Sequence, residues 1–225
     1  MATKVKTRAE VRGPLTRERV LRAAVTLADR DGIDSLSMRK LGQELGVEAM
    51  SLYNHVKSKE DMLDGIVDVL VGEIVVPKGD GGWKSSLRQT VLAARSVLLR
   101  HSWAPGVIES RKTPSPATFA YFDAVLGILR RGGFSLDAAH HALHILGSRV
   151  LGFTQELFND SEEFVEGPEA AAVMAQQMAE TYPYITELAM GVSHGEGLGG
   201  CDDNVEFGIA LDLILDGLDR LKRAA

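Results

Sequence analysis

Cysteine is almost absent from this chain of 225 residues, which contains a single one, Cys201. A lone cysteine excludes an internal disulfide and, with it, the framework of a disulfide-stabilised secreted domain. Long apolar runs are missing too: no stretch of about 20 apolar residues could span a membrane, and no segment resembles a secretion signal. We therefore expect a cytoplasmic protein with no membrane partner.

The motifs of catalytic and metal sites are also missing. His140 and His144 lie one helical turn apart, but no glutamate or cysteine joins them in an HExxH or CxxC arrangement. Ser148 and Ser193 lack the setting of a nucleophile elbow, and the segment GEGLGG at 195–200 does not follow a strand pattern. The sequence therefore predicts no catalytic residue, no metal site and no cofactor.

Charge of the two signs is distributed unevenly along the chain. Residues 1–60 hold 12 Lys and Arg against 8 Asp and Glu, a balance of +4. The remaining residues hold 13 against 23, a balance of −10, which together give the net charge of −6. A basic end on an acidic body is the asymmetry expected of a protein that binds nucleic acid at one end only. Residues 1–14 have no apolar period, and we expect them to form a disordered basic arm.

Apolar residues recur at helical spacing throughout, without a strand pattern or an internal repeat. Between Ser37 and Lys59 the pattern predicts a short helix, a glycine turn at Gly46 and a second short helix from Glu48 to Asn54. This is the helix-turn-helix arrangement that places a recognition helix in a DNA major groove. An ordinary helical hairpin with a solvated polar face fits the same periodicity.

Further helices are predicted on both sides of this segment. A helix capped by Thr16 precedes it, and a helix opened by Ser58 follows it, with Asp61 in the place of the usual capping-box residue, and runs to about Val76. The later predicted helices cover residues 84–100, 104–109, 115–131, 135–158, 169–181 and 204–223.

A family resemblance is carried by LxxxLGV followed by SLYNHVKSKEDML, within about residues 15–75. This part resembles the DNA-binding domain of the TetR family of bacterial regulators. The later segments RRGGFSLDAAHHALHILGSRVLGF and FGIALDLILDGLDRL are similar to the ligand-binding, dimerising half of its tetracycline-repressor branch. The resemblance implies an all-α fold, in which a three-helix helix-turn-helix head is joined by a connecting helix to an all-helical ligand-binding and dimerisation body. The expected domains are the arm at 1–14, the head at 15–75 and the body at 83–225.

The resemblance also implies a function. The protein would be a transcriptional repressor that binds a palindromic operator in double-stranded DNA as a homodimer and is released by a small-molecule inducer. Activation instead of repression remains open. The alternative from another class is a small helical ligand carrier or enzyme whose helix-turn-helix is vestigial.

DNA-binding roles carry over only where residues match. The resemblance implies that Arg39 reads a guanine edge, and that Tyr53 and Lys59 bind phosphates. The set of expected DNA contacts is Arg39, Ser51, Tyr53, Asn54, His55 and Lys59. The tetracycline-repressor branch has Gln-Pro in place of Ala49-Met50 and Trp in place of Asn54, so the operator sequence does not carry over. The Tyr53 ring also fits partial core packing.

Two seams of apolar residues suit helix packing. One follows Ala139, Leu143, Leu146, Val150, Phe153 and Leu157, and the other follows Phe207, Leu211, Ile214, Leu218 and Leu221. The resemblance implies that these two helices of each subunit form the homodimer bundle. The alternative is that both seams are buried inside one chain.

A regulator of this kind needs a ligand site, for which the body offers large side chains with a few polar anchors. The expected ligand-binding residues are His101, Trp103, Phe119, Phe122, His144, Arg149, Phe153, Met174 and Met178. Taken singly, each of the aromatic residues fits core packing better than it fits a ligand contact. The resemblance places a magnesium-binding histidine near residues 107–111, where this chain has none. Tetracycline–magnesium is therefore not the expected inducer.

Overall fold

The computed structural model describes residues 14–77, 81–152, 168–191 and 203–224. Helices α1 to α8 belong to one compact unit and helices α9 to α11 to a second. The described part is helical throughout, so the predicted all-α fold class is confirmed. The expected arm, apart from Pro14, lies outside the described residues.

The first four helices are α1 (Arg17–Asp31), α2 (Met38–Leu45), α3 (Ala49–Leu52) and α4 (Lys59–Gly72), with a single 3₁₀ turn at Ile33–Ser35. Each long helix of this set begins at a hydroxyl cap. Thr16 Oγ1 accepts from the Arg19 N–H at 3.2 Å, and Ser37 Oγ accepts from the Lys40 N–H at 3.3 Å. These bonds satisfy amide groups that have no partner within the helix.

A small core holds these helices together. Helix α1 packs on α2 and α4, and α2 packs on α3. The largest side chains that they bury completely are Leu27, Leu41, Leu52, Met62 and Ile66. Since α3 is only four residues long, its position depends on Leu52 and on its contacts with α2 and not on its own helical stability.

Four further helices complete the first unit, namely α5 (Gly82–Arg100), α6 (Ala104–Ser110), α7 (Pro116–Arg131) and α8 (Leu136–Gly152). Helix α4 packs against α5, α6 and α7, and α8 packs against α5 and α7. Trp83 near the start of α5 meets Phe134 edge to face, with ring centroids 4.8 Å apart. Helix α4 is therefore contacted by α5, α6 and α7 as well as by α1.

The second unit contains α9 (Pro168–Thr181), α10 (Pro183–Gly191) and α11 (Asp203–Ala224). Helix α10, which packs on α9, was not predicted from the sequence. Helix α4 ends at Gly72, four residues before the predicted end. Within the described residues, no helix is both long and apolar enough to cross a membrane.

The described residues of the two predicted seams are buried or half-buried within the single chain. On α8, Ala139 and Leu146 are buried and Leu143 is half-buried. Val150 lies on α8, but its side chain is outside the described part, as are Phe153 and Leu157 entirely. On α11, Phe207, Leu211, Leu215 and Leu218 are buried, whereas Val205, Ile209 and Leu213 form an exposed apolar row. Leu215 thus takes the buried position that the predicted seam gave to Ile214, which is half-buried.

Candidate DNA interface and ligand cavity

The turn between α2 and α3 depends on two glycines. Gly46 ends α2 with φ +65°, a left-handed conformation that favours glycine. At Gly42, a Cβ atom would lie 2.9 Å from the Val47 carbonyl oxygen and 3.2 Å from the Ala49 nitrogen. Both neighbouring atoms belong to the backbone, so the close approach of turn and helix requires a glycine here.

We predict that Gly42→Ala will destabilise the protein by about 1–3 kcal/mol, because the added methyl group forces backbone atoms apart. Gly106→Ala on α6 is the matched control, since a Cβ atom there meets nothing within 4 Å. The free energy of unfolding of the control should rise by up to about 1 kcal/mol, because alanine has a higher helix propensity than glycine. Urea unfolding measures both, and equal midpoints for the two variants would contradict the prediction.

The N-terminal ends of α1 and α4 are joined by an ion pair. Arg17 Nη2 lies 2.7 Å from Asp61 Oδ1, and Arg17 Nη1 lies 3.1 Å from Asp61 Oδ2. Arg17 Nη1 also donates to the His55 carbonyl at 2.7 Å. The hydrogen bonds from Arg17 lower the pKa of the Asp61 carboxyl below its usual value. The carboxylate therefore stays ionised and holds the segment between α3 and α4 in place.

Asp61 also completes the cap of α4. Ser58 Oγ accepts from the Asp61 N–H at 3.1 Å, as predicted. The reciprocal bond differs from a standard capping box, because Asp61 Oδ2 accepts from the Lys57 N–H at 2.7 Å and not from the N–H of Ser58. This bond fixes the backbone at Lys57, two residues before Lys59.

The side chains expected to contact DNA differ in exposure. Arg39, Tyr53, Asn54 and Lys59 are exposed, while Ser51 and His55 are half-buried. Met50 is also exposed, with 75% of its surface accessible, although it is not among the residues expected from the sequence to contact DNA. Its place at the second position of α3, directly after the turn, is the sequence feature that could have indicated a position at the DNA interface.

A cavity of about 140 Å³ lies between α4, α5, α6, α7 and α8. The α4 side contributes Leu70, Val71 and the following Ile74, and α5 contributes Leu87, Val91, Ala94, Val97 and Leu98. The remaining wall consists of Ile108, Thr118, Tyr121, Phe122, Val125, Leu143, Leu146 and Gly147. Carbon atoms form nearly all of its surface. Burial raises the pKa of Tyr121 to about 12, so its hydroxyl remains protonated at neutral pH.

Asp29 on α1 meets two side chains from the corner between α5 and α6. His101 Nδ1 and Trp103 Nε1 each lie 2.8 Å from Asp29 Oδ1. Because a carboxylate oxygen can only accept, both ring nitrogens donate to it. We call this contact the Asp29 junction. It connects the first helix directly to helices that line the cavity, since Leu98 precedes the corner and Ile108 follows it.

Helix α4 is joined to α6 and α7 by polar contacts along one side. Arg111, at the end of α6, reaches Glu60 at 2.6 Å and Asp64 at 3.4 Å. Asp68 Oδ1 accepts from the Ala117 N–H in the first turn of α7 at 2.8 Å. A carboxylate at a helix N-terminus is stabilised both by this bond and by the helix dipole. The contacts are spaced one helical turn apart along α4.

Comparison with known proteins agrees with this arrangement. The family of bacterial regulatory proteins named tetR matches residues 20–66, and the tetracyclin repressor-like C-terminal domain matches residues 77–221. The chain belongs to the TetR family of transcriptional regulators. It is thus a DNA-binding regulator with a helix-turn-helix, as the resemblance implied.

Individual TetR relatives are similar over most of their length. The HTH-type transcriptional repressor DrrR1 of Streptomyces coeruleorubidus is 31% identical over 224 residues, which cover 93% of this chain and 80% of the relative. The class D tetracycline repressor protein of Escherichia coli is 31% identical over 159 residues, covering 69% of this chain and 72% of the relative. Apo ActR of Streptomyces coelicolor has a TM-score of 0.72 at 25% identity, covering 96% of this chain and all of ActR.

The expected ligand-binding residues of this TetR-family chain are only partly brought together. Phe122 lines the cavity, but His101 and Trp103 bind Asp29 instead, and Phe119 is exposed. His144 is exposed on α8, where its ring centroid lies 4.6 Å from that of His140.

The remaining expected ligand residues lie beyond α1 to α7. Met178 is half-buried on α9. Arg149 and Met174 lie on α8 and α9 with side chains outside the described part, and Phe153 lies outside the described residues entirely. Among the described residues, no group of three or more His, Cys, Asp or Glu is placed to hold a metal ion.

Proposed function

We propose that this protein is a cytoplasmic repressor that binds a palindromic operator as a homodimer and leaves it when a small molecule enters the cavity. One observation carries the proposal: α4 belongs to both sites. Its first residue is Lys59, next to the helix-turn-helix, and its last turn lines the cavity through Leu70 and Val71. Its 14 residues span about 20 Å, so the two sites are separated by the length of one rigid element.

The relatives named above support the interpretation that this protein is a transcriptional repressor. DrrR1 is named a transcriptional repressor, and ActR has been crystallised in complex with actinorhodin, at 26% identity to this chain and a TM-score of 0.68. By analogy, we propose that residues 15–75 form the DNA-binding head and that residues 83–225 form the ligand-binding and dimerisation body. In this proposal the cavity of the body is the inducer site.

We assign the DNA contacts by chemistry and exposure. Arg39 would read a guanine edge through its forked donors, and Tyr53 and Lys59 would bind phosphates. Ser51 on α3, and Asn54 and His55 in the turn that follows it, would supply further hydrogen bonds. Met50 joins this set as an apolar group at the front of α3, suited to contact the methyl group of a thymine.

The exposed apolar row on α11 supports dimerisation. Val205, Ile209 and Leu213 are spaced one helical turn apart and are 51%, 52% and 67% exposed. Three large apolar side chains in one row are an unfavourable surface for a monomer in water, and a two-fold contact between copies would bury them. A dimer also suits the DNA, because two recognition helices about 34 Å apart match successive major grooves on one face of a duplex.

The route from cavity to DNA would run through two sets of contacts. A ligand that fills the cavity pushes on α4 directly, and it pushes on the α5–α6 corner that holds the Asp29 junction. Arg111 and Asp68 make α4 move together with α6 and α7. A palindrome fixes the separation of the recognition helices, so a shift of a few ångströms would release one half-site.

Substitutions of Lys59 and Arg39 test DNA recognition. We predict that Lys59→Ala weakens binding to all sequences alike and lowers the salt slope by about one, because a phosphate contact is lost. Arg39→Ala should instead relax base preference at one position in each half-site, at a cost of about 1–3 kcal/mol. Gel shifts with DNA flanking the protein's own gene, at several salt concentrations, measure both.

The same experiment separates the proposal from its alternative. A helical carrier or enzyme with a vestigial helix-turn-helix would bind this DNA weakly and without sequence preference, and the Arg39 and Lys59 variants would be indistinguishable. Exposed Arg39, Tyr53 and Lys59 around an intact turn favour the regulator. Loss of the same base preference in both variants would show that our division into reading and positioning residues is wrong.

A further inference from the structure

The wall of the cavity limits the chemistry of any ligand that fills it. In the part of the chain that the structure describes, aliphatic and aromatic side chains from five helices form it, and the two that carry a hydroxyl are Thr118 and Tyr121. The Thr118 hydroxyl lies 3.0 Å from Ser115 Oγ at the start of α7, so it is already engaged in the cap of that helix. Among the described residues, none hydrogen-bonds the Tyr121 hydroxyl, and burial keeps it neutral.

None of the described residues that line the cavity is charged, and Arg111, Asp68 and Arg95 on the surrounding helices have partners elsewhere. Arg111 is bound by Glu60 and Asp64, and Asp68 is bound to the α7 backbone. Arg95 is buried on α5, but it does not line the cavity and has an interaction of its own. The described wall therefore offers neither a counter-ion for a charged ligand nor a set of donors for a metal chelate.

Transfer of an ion from water into carbon-lined space is unfavourable unless a counter-ion or hydrogen bonds replace its hydration. An uncharged molecule avoids this cost and gains from the removal of its apolar surface from water. With the Tyr121 hydroxyl, the cavity can still orient one polar atom of such a molecule.

We infer that the inducer is an uncharged, predominantly apolar organic molecule with at most one hydrogen-bonding group, and neither an organic ion nor a metal chelate. This inference deepens the proposed function and rests on it, because it takes the cavity to be the inducer site. It concerns the preference of the cavity for uncharged over charged ligands, which a binding experiment can measure without DNA.

The test uses N-phenyl-1-naphthylamine, an uncharged dye that becomes fluorescent in apolar surroundings, with the full-length protein. Three competitors share one naphthalene ring system and differ in charge at neutral pH: 1-naphthylmethanol, 1-naphthoate and 1-naphthylmethylammonium. We expect the alcohol to displace the dye at concentrations at least tenfold lower than either ion. An ion that competes within threefold of the alcohol would overturn the inference, and so would failure of the dye to bind.

Substitutions locate the dye in the cavity. Ala94 lines the wall and is buried, so Ala94→Leu fills part of the space and should weaken dye binding at least tenfold. Val125→Phe, from the opposite helix α7, is a second filling variant in case the first does not fold. Ala120→Leu, at an exposed position of α7 outside the wall, is the matched control and should bind the dye as wild type does. Unchanged dye binding by a folded filling variant would place the dye elsewhere and overturn the inference.

Adding operator DNA separates this inference from the function on which it rests. If the alcohol outcompetes the ions but the dye does not weaken operator binding, the ligand chemistry holds and the inducer role of the cavity fails. If the dye and the ions release operator DNA equally well, the inducer role holds and the inferred ligand class is wrong.

Discussion

We expect the double substitution Ile209→Asp and Leu213→Asp to convert the proposed homodimer into monomers that no longer hold the proposed palindromic operator. Both side chains are more than half exposed on α11, so aspartate there costs the isolated chain little. In a two-fold interface each substitution appears twice, and four carboxylates would meet in an apolar surface. Burying unpaired charges is too costly for the dimer to form.

We expect operator affinity to fall at least about a hundredfold, because a single recognition helix retains little beyond the non-specific attraction to phosphates. Sedimentation velocity measures the mass, and a gel shift measures the affinity. The control carries Val75→Asp and Leu99→Asp, two exposed apolar positions outside α11, and should remain a dimer. An unchanged dimer in the α11 variant would place the interface elsewhere.

The choice of these positions comes from the structure, since the sequence pattern alone pointed to Leu211 and Leu218. Both are buried in the single chain, so aspartate at either would unfold the protein whether or not it dimerises. A helix with apolar residues on more than one face does not reveal which row is covered by its own chain. The exposure of Ile209 and Leu213 resolves this ambiguity.

Local signals predicted the helix starts well. The caps Thr16, Ser37 and Ser58 and the turn at Gly46 are all found where the sequence placed them, because each depends on residues within one helical turn. The end of α4 was placed too late, since apolar residues continue at helical spacing as far as Val76. Pro77 follows directly, and a proline disfavours the helical conformation of the residue before it. The β-branched residues at 74–76 also disfavour helix.

The candidate sites were predicted unequally for the same reason. The proposed DNA-binding face consists of residues of one short continuous motif, whereas the cavity is assembled from five helices whose relative positions no local pattern encodes. His101 and Trp103 were predicted as ligand contacts because of their aromatic size and polarity. Both instead form hydrogen bonds to an aspartate more than 70 residues earlier in the chain. The cavity wall is mostly aliphatic, and its residues share helical faces that also fit ordinary core packing.

The Asp29 junction leads to the second large expected effect. Asp29→Ala removes the acceptor of both His101 Nδ1 and Trp103 Nε1. A donor left without a partner at a largely buried site costs about 1–3 kcal/mol, so the free energy of unfolding should fall by about that amount. Asp29→Asn keeps an oxygen in the same place and should restore most of this loss. Asp34→Ala removes the same charge from an exposed position of the 3₁₀ turn and is the matched control.

If the junction were purely structural, stability would be the only property to change. Because it connects α1 to the cavity helices, we expect it also to carry part of the coupling between ligand and DNA. The coupling is the ratio of operator dissociation constants with and without saturating N-phenyl-1-naphthylamine, and for allosteric proteins in general such a ratio is typically about 5- to 150-fold. We expect Asp29→Ala to bring this ratio toward one, while dye affinity in the absence of DNA stays within about threefold of wild type. Thermodynamic reciprocity requires the effect of operator DNA on dye affinity to fall by the same factor. If Asp29→Ala lowers the melting temperature but leaves the ratio at its wild-type value, the junction only stabilises the fold, and α4 with its Arg111 and Asp68 contacts carries the signal alone.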